Sequence, residues 1–166
     1  MFKINLKNII KNFIIILSIF LADRFSKIYI LKMTEIENTL DIYVNSYLNL
    51  YLIWNKGIAF GLLSFSDAFI YNIVTFIIIL ITLMVLLMLT KSEGYQKYCL
   101  LSVLGGSWGN LFDRVYYSAV PDFIDLHFYS FHWFVFNVAD IFITVGVFCL
   151  ILVELFFNNK NINEKN

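Results

Sequence analysis

The sequence predicts an all-α membrane protein with four transmembrane helices, both termini cytoplasmic, and a small β-like extracytoplasmic element on the outer membrane surface. Three observations carry that prediction. The first is composition: of 166 residues, 60% are hydrophobic and only 14% charged, with a mean hydropathy of +0.78. A soluble domain carries about a quarter charged residues and buries only about 70% of the surface its unfolded chain exposes. A soluble globule and a disordered chain are both excluded on this ground. The second is the recurrence of apolar runs of about 20 residues, the length that spans a bilayer. The third is the distribution of lysines between those runs.

The elements follow in order, within one domain over 1–166. Helix one is expected over about 12–31. Its basic start (Lys3, Lys7, Lys11) and apolar run resemble a signal peptide. The run passes straight into Asp-Arg-Phe-Ser-Lys without a small-x-small cleavage site, so a retained helix is expected. Helix two, 68–90, contains no charge. Helix three covers about 98–116 and helix four about 134–155. Lys91 and Lys97 join helices two and three, while Lys160 and Lys165 follow helix four. The positive-inside rule then places these segments in the cytoplasm and the segments 32–67 and 117–133 outside. Within the outer segments, residues 41–54 alternate polar or tyrosine positions with aliphatic ones, the period of a strand. Its edges need a partner, and 122–129 supplies one. The tail 158–166 is polar and expected to fray.

Ionisable residues inside spans are costly and point to function by default. In this topology Asp23 and Lys27, Asn110 with Asp113 and Arg114, and Asn137 with Asp140 all converge on the outer leaflet. Asp140 lies about 5–10 Å below the outer boundary at 1.5 Å per residue. Asp122 falls in the outer loop. Asn110, Asp113 and Arg114 share one helix face, as do Asn137 and Asp140, and Asp23 and Lys27 are spaced to pair. Gly105 and Gly109 form a small-xxx-small step, widened by Gly106, that admits another helix. Interface anchoring and helix packing account for several of these features. They do not account for Asp140, which has no basic residue within one turn.

Several chemistries are set aside. Twelve basic and twelve acidic residues cancel, which argues against nucleic-acid binding. Cys99 and Cys149 are distant and in apolar surroundings, so neither a disulfide framework nor a zinc spacing arises. His127 and His132, five apart, match no common metal motif, and neither a metal nor a cofactor is expected. What remains is a group of carboxylates at a wet membrane boundary. Two close carboxylates share a proton and so provide an acid and a base for hydrolysis. The same groups also suit a carrier of protons or ions. The residues alone leave both readings open, although a carrier needs a polar path through both leaflets and the inner halves of the helices are apolar.

Four blocks, in order and spanning most of the chain, resemble the bacterial lipoprotein signal peptidase family (signal peptidase II, membrane aspartic peptidases). They are Ala-Asp-Arg-Phe-Ser-Lys at 22–27, Asn-Lys-Gly-Ile-Ala-Phe-Gly at 55–61, Gly-Gly-Ser-Trp-Gly-Asn-Leu-Phe-Asp-Arg-Val at 105–115 continuing to Val-Pro-Asp-Phe-Ile-Asp at 120–125, and Phe-Asn-Val-Ala-Asp-Ile-Phe-Ile-Thr-Val-Gly at 136–146. The resemblance implies removal of signal peptides from diacylglyceryl-modified prolipoproteins in the bacterial inner membrane, cutting before the lipidated cysteine, without cofactor. It implies a monomer in contact with membrane lipid, open to a cyclic lipopeptide inhibitor (globomycin). Carried over, the catalytic pair is Asp122 and Asp140, with Asp113 the competitor for the first place. Asn55, Gly57, Asn110, Arg114, Asn137 and Ala139 would hold substrate and dyad, and Asp23 and Lys27 would support the fold nearby. Ser107 stands where the family often has alanine, and Pro121 where it often has valine.

Overall fold

The computed structural model describes residues 6–37, 41–57 and 68–158. The expectations for 58–61 of the second block and for the polar tail beyond 158 lie outside them. Four helices and four strands follow in the order α1 (Leu6–Glu37), β1 (Asp41–Asn45), β2 (Leu48–Asn55), α2 (Ala68–Lys91), α3 (Gly94–Tyr117), β3 (Val120–Phe128), β4 (Phe131–His132) and α4 (Val138–Val153). A widened π-type turn, Glu154–Asn158, extends α4.

The distribution of polarity is inverted relative to a soluble protein. Fully buried side chains include Lys27, Asn137, Asp23, Asp113 and Asp122, while Phe13, Phe25, Phe76, Leu87 and Phe148 stand exposed. An apolar exterior around a polar interior suits a lipid solvent, because each ionic group must find its partner inside the protein. Among the described residues, two helical stretches, Phe69–Lys91 and Val138–Phe156, are long and apolar enough to cross a membrane. The expectation of four such helices is met by two on this measure. Asp23, Arg24 and Lys27 interrupt α1, and Asn110, Asp113 and Arg114 interrupt α3, so neither reads as a purely apolar span.

Helix α3 is the centre of the bundle and packs chiefly on α4, then on α1 and α2. Its glycines permit this. A Cβ on Gly105 would sit 2.7 Å from Ile19 of α1. One on Gly106 would sit 2.5 Å from the Ala139 carbonyl oxygen of α4, and one on Gly109 would sit 2.5 Å from the Asp23 carboxylate. The small-residue step thus faces two helices at once. Gly106→Ala pushes against backbone, which cannot rotate away. It is expected to cost about 1–3 kcal/mol, read as a lower unfolding temperature in detergent. An unchanged temperature would contradict the packing described here.

The small β element expected beside the helices is present as a four-stranded antiparallel sheet in the order β1-β2-β3-β4. The expected single strand over 41–54 is a hairpin. It breaks at Ser46–Tyr47, where the Asn45 side chain accepts the Tyr47 N–H at 2.8 Å, a local bond that competes with continued pairing. The expected partnership with 122–129 is present, with Ile53 opposite Asp122 and Asn55 opposite Val120. Pairing continues at Pro121, opposite Trp54. Phe136 docks on the other side of β3, its carbonyl accepting from Phe123 and Ile124. This sheet carries Asn55 and Asp122 to the end of the bundle where α4 begins.

Candidate active site

Helix α4 starts later than the expected 134, and this changes the meaning of Asn137 and Asp140. Asn137 is the N-cap rather than a helical residue. Its Oδ1 accepts the Asp140 N–H at 3.1 Å, and its own N–H donates to Asp140 Oδ2 at 3.2 Å. The Asn-x-x-Asp spacing is therefore a capping box. With Oδ1 engaged, the Asn137 amide has only its NH2 left to offer, and this donates to Asp122 Oδ1 at 2.6 Å. One asparagine thus starts the helix and links the two aspartates.

Asn55 is oriented the same way. Its Oδ1 accepts the Gly57 N–H at 2.7 Å, which turns its Nδ2 toward Asp122 Oδ2 at 2.8 Å. Arg114 donates to the Gly57 carbonyl, so the expected residues Asn55, Gly57 and Arg114 form one assembly. Arg114 also lies over the Tyr71 ring, whose hydroxyl donates to the Arg114 carbonyl at 3.1 Å.

Behind Asp140 lies a buried ion cluster. The Lys27 ammonium, wholly out of solvent, donates to Asp23 Oδ2 at 2.8 Å, Asp113 Oδ2 at 2.6 Å and Asn110 Oδ1 at 3.0 Å. Three protons meet three acceptors. Lysine cannot accept, so it fixes the Asn110 oxygen toward itself and the Asn110 NH2 toward Asp140 Oδ1, at 2.8 Å. Asp23 uses its other oxygen to accept the Ala139 N–H at 3.0 Å. Asp113 is thereby committed to cations: Lys27, and Arg24 at 2.5 Å. Arg24 went unassigned in the sequence reading, although a buried-looking arginine in a span is itself a functional signal.

Asp122 and Asp140 are both nearly buried, at 2% and 3% exposure. Burial pushes the Asp122 carboxyl up to about 7, with the nearby Asp140 charge acting in the same direction and the Asn55 and Asn137 donors opposing. Asp140 borders an open, almost wholly apolar pocket of about 670 Å³, lined among others by Tyr47, Phe136, Ile141 and Val145. Two nearly buried carboxyls linked through Asn137, one of them bordering an apolar pocket, offer an acid and a base that can activate water.

The two cysteines are free. The histidines, unremarkable by linear spacing, are brought opposite each other by the β3–β4 register. Asp125 Oδ2 lies 3.0 Å from His132 Nδ1.

The chain is similar to known proteins over most of its length. The family described as Signal peptidase (SPase) II matches residues 15–157. A lipoprotein signal peptidase of Pelagibacter ubique (strain HTCC1062) is 61% identical over 164 residues, 99% of each chain. One from Anaplasma phagocytophilum (strain HZ) is 42% identical, covering 86% of this chain and 90% of its own. Two solved bacterial membrane enzymes share the fold. One has a TM-score of 0.72 at 23% identity, over 94% of this chain and 92% of its own; the other has 0.66 at 25% identity, over 89% and 94%. The chain belongs to the signal peptidase II family and is a peptidase.

Proposed function

We propose that this chain is an aspartic endopeptidase of the bacterial inner membrane. It removes signal peptides from diacylglyceryl-modified prolipoproteins, cutting before the lipidated cysteine, with Asp122 and Asp140 activating water. The observation that carries the reading is the pair of nearly buried carboxyls joined through Asn137, of which Asp140 borders an apolar pocket. The topology that goes with it has four spans, both termini in the cytoplasm and the sheet and active site on the outer face. In α1 and α3 the polar groups are buried against neighbouring helices, which reconciles them with lipid.

The substrate reaches the pocket laterally in the outer leaflet, its acyl chains in lipid and its peptide under β1 and β2. Asp140 is the base. It sits in the first turn of α4, where the helix N-terminus favours negative charge. It takes a proton from water as the oxygen bonds to the scissile carbonyl carbon. Asp122, protonated, gives its proton to the carbonyl oxygen. The resulting diol collapses as the C–N bond breaks: Asp140 gives its proton to the leaving amine, and a diol hydroxyl returns a proton to Asp122. Asn55 and Asn137 hold Asp122, and Asn110 holds Asp140. Arg114 fixes Gly57. The apolar pocket also suits a cyclic lipopeptide such as globomycin, and the chain works as a monomer.

The test is cleavage of a diacylglyceryl prolipoprotein by the purified protein in detergent, with products weighed by mass spectrometry. A new N-terminus at the lipidated cysteine supports the reading. Cleavage elsewhere, or equal cleavage of the unlipidated precursor, overturns it. The pH dependence follows from Asp122, whose carboxyl titrates near 7 against an ordinary 3.8. Raising pH through that value removes the acid and leaves two charges together. kcat/KM is then expected to fall about tenfold per unit above about pH 7. In the same sense, the folded state holds this proton where the unfolded chain has lost it, so the group's contribution to stability declines as pH rises from about 4 to about 7. A flat kcat/KM profile up to about pH 9 would contradict the assignment of Asp122 as acid.

A further inference from the structure

We propose that Asp125, His127 and His132 form a binding site for a divalent metal of the Zn2+ class, with His127 lining the same pocket that Asp140 borders. Strand geometry brings the three residues together. Asp125 and His127 are two apart on β3 and so lie on one face. The two-residue turn after Phe128, with Tyr129 at φ 52°, places His132 of β4 directly opposite His127. Neighbours in register on one face approach to within side-chain contact. A spacing of five with no motif in the linear chain becomes a three-ligand cluster in the sheet.

The atoms are close to ligating distance. One carboxylate oxygen and two imidazole nitrogens all lie within 4.8 Å of one another. Asp125 Oδ2 is 3.0 Å from His132 Nδ1 and 3.9 Å from His127 Nδ1. A tetrahedral Zn2+ with bonds of about 2.0–2.2 Å sets its ligands about 3.4 Å apart, so side-chain adjustments on the order of 1 Å bring the three atoms to ligating positions. A second observation points to a ligand. The His127 side chain is nine-tenths buried, and its Nδ1 makes no hydrogen bond among the described residues. A buried polar atom left without a hydrogen bond is costly, and a metal bond removes that cost. The rings of His127 and His132 lie side by side, centroids 5.1 Å apart and 23° between their planes, and tilt toward each other when both nitrogens bind one ion. The His132 side chain is 56% exposed, which leaves an open side for solvent and for the ion to arrive. Two imidazoles and a carboxylate suit Zn2+ among the available divalent ions, with water in the fourth position. The bound ion would pin β4, which has only two register pairs, onto β3.

The experiment is calorimetric titration of the purified full chain, without a histidine tag, with Zn2+ in detergent at neutral pH. The expected result is one saturable equivalent per chain, accompanied by a higher unfolding temperature. His132→Gln alters only an exposed side chain and leaves the fold intact. It is expected to weaken binding by at least about tenfold and to abolish the thermal shift. Asp125→Asn keeps the shape of the carboxyl and is expected to do the same. Absence of saturable binding to the wild type, or wild-type affinity in His132→Gln, overturns the proposal. The readout does not depend on peptide cleavage.

Discussion

Replacing Asp140 with Asn is expected to lower kcat by about 10⁴-fold while the chain stays folded. The carboxylate accepts from the Asn110 NH2 through one oxygen and from the Asn137 N–H through the other. An asparagine keeps the volume and one of these bonds. It turns a donor toward the other, a loss of about 1–3 kcal/mol in a buried site, which is tolerable for a helix cap that retains the Asn137 Oδ1 bond to the backbone at 140. The amide cannot take a proton from water at neutral pH, so the base is gone while the architecture persists. The measurement is single-turnover cleavage with circular dichroism as the folding control. A folded Asp140→Asn variant that still cuts at a tenth of the wild-type rate would remove Asp140 from the chemistry.

Lys27→Met is expected to destabilise the protein by about 3–5 kcal/mol, more than other single changes at the cluster. The ammonium is wholly buried and compensates Asp23 and Asp113 together. Methionine fills the space but leaves two buried carboxylates with Arg24 alone, at 3.5 Å and 2.5 Å. The diagnostic experiment is a double variant. Removing a charge and its counter-charge together costs far less than removing one, so Lys27→Met with Asp113→Asn should recover much of the lost thermal stability. Equal stability of the single and double variants would show that Lys27 is a space-filler. Activity offers a second reading. Without Lys27 the Asn110 amide is free to rotate, and its NH2 no longer faces Asp140 by necessity.

How much of this was legible in the sequence depends on the range of the interaction. Helix α2 was evident because hydropathy is local, and its observed span, Ala68–Lys91, adds one residue to the expectation. The Asp23–Lys27 pair followed from helical spacing. The Asn137–Asp140 relation was visible as a spacing of three, but a cap and a helix face share that spacing, and only the extended backbone at Asn137 separates them. The hairpin within 41–54 was hidden because an Asn-Ser step is a weak turn signal amid a strong strand period. Arg24 on Asp113 is an inter-helix contact, and the Asp125–His127–His132 cluster depends on strand register. Neither is encoded at a fixed sequence spacing. The likeness of the 105–125 and 136–146 blocks to the family supplied residues that spacing alone left ambiguous. Asp113 was the competitor for the first catalytic place, and its ion pairs to Lys27 and Arg24 favour Asp122 for that place.

That choice is the centre of the account, and one comparison tests it most directly. Wild type, Asp122→Asn and Asp113→Asn are purified and assayed on the same diacylglyceryl prolipoprotein, at a temperature where all three are folded by circular dichroism. Asp122→Asn is expected to lose about 10⁴-fold in kcat, whereas Asp113→Asn unfolds at lower temperature but still cuts before the lipidated cysteine. Cleavage by Asp122→Asn together with loss of cleavage in folded Asp113→Asn would contradict it.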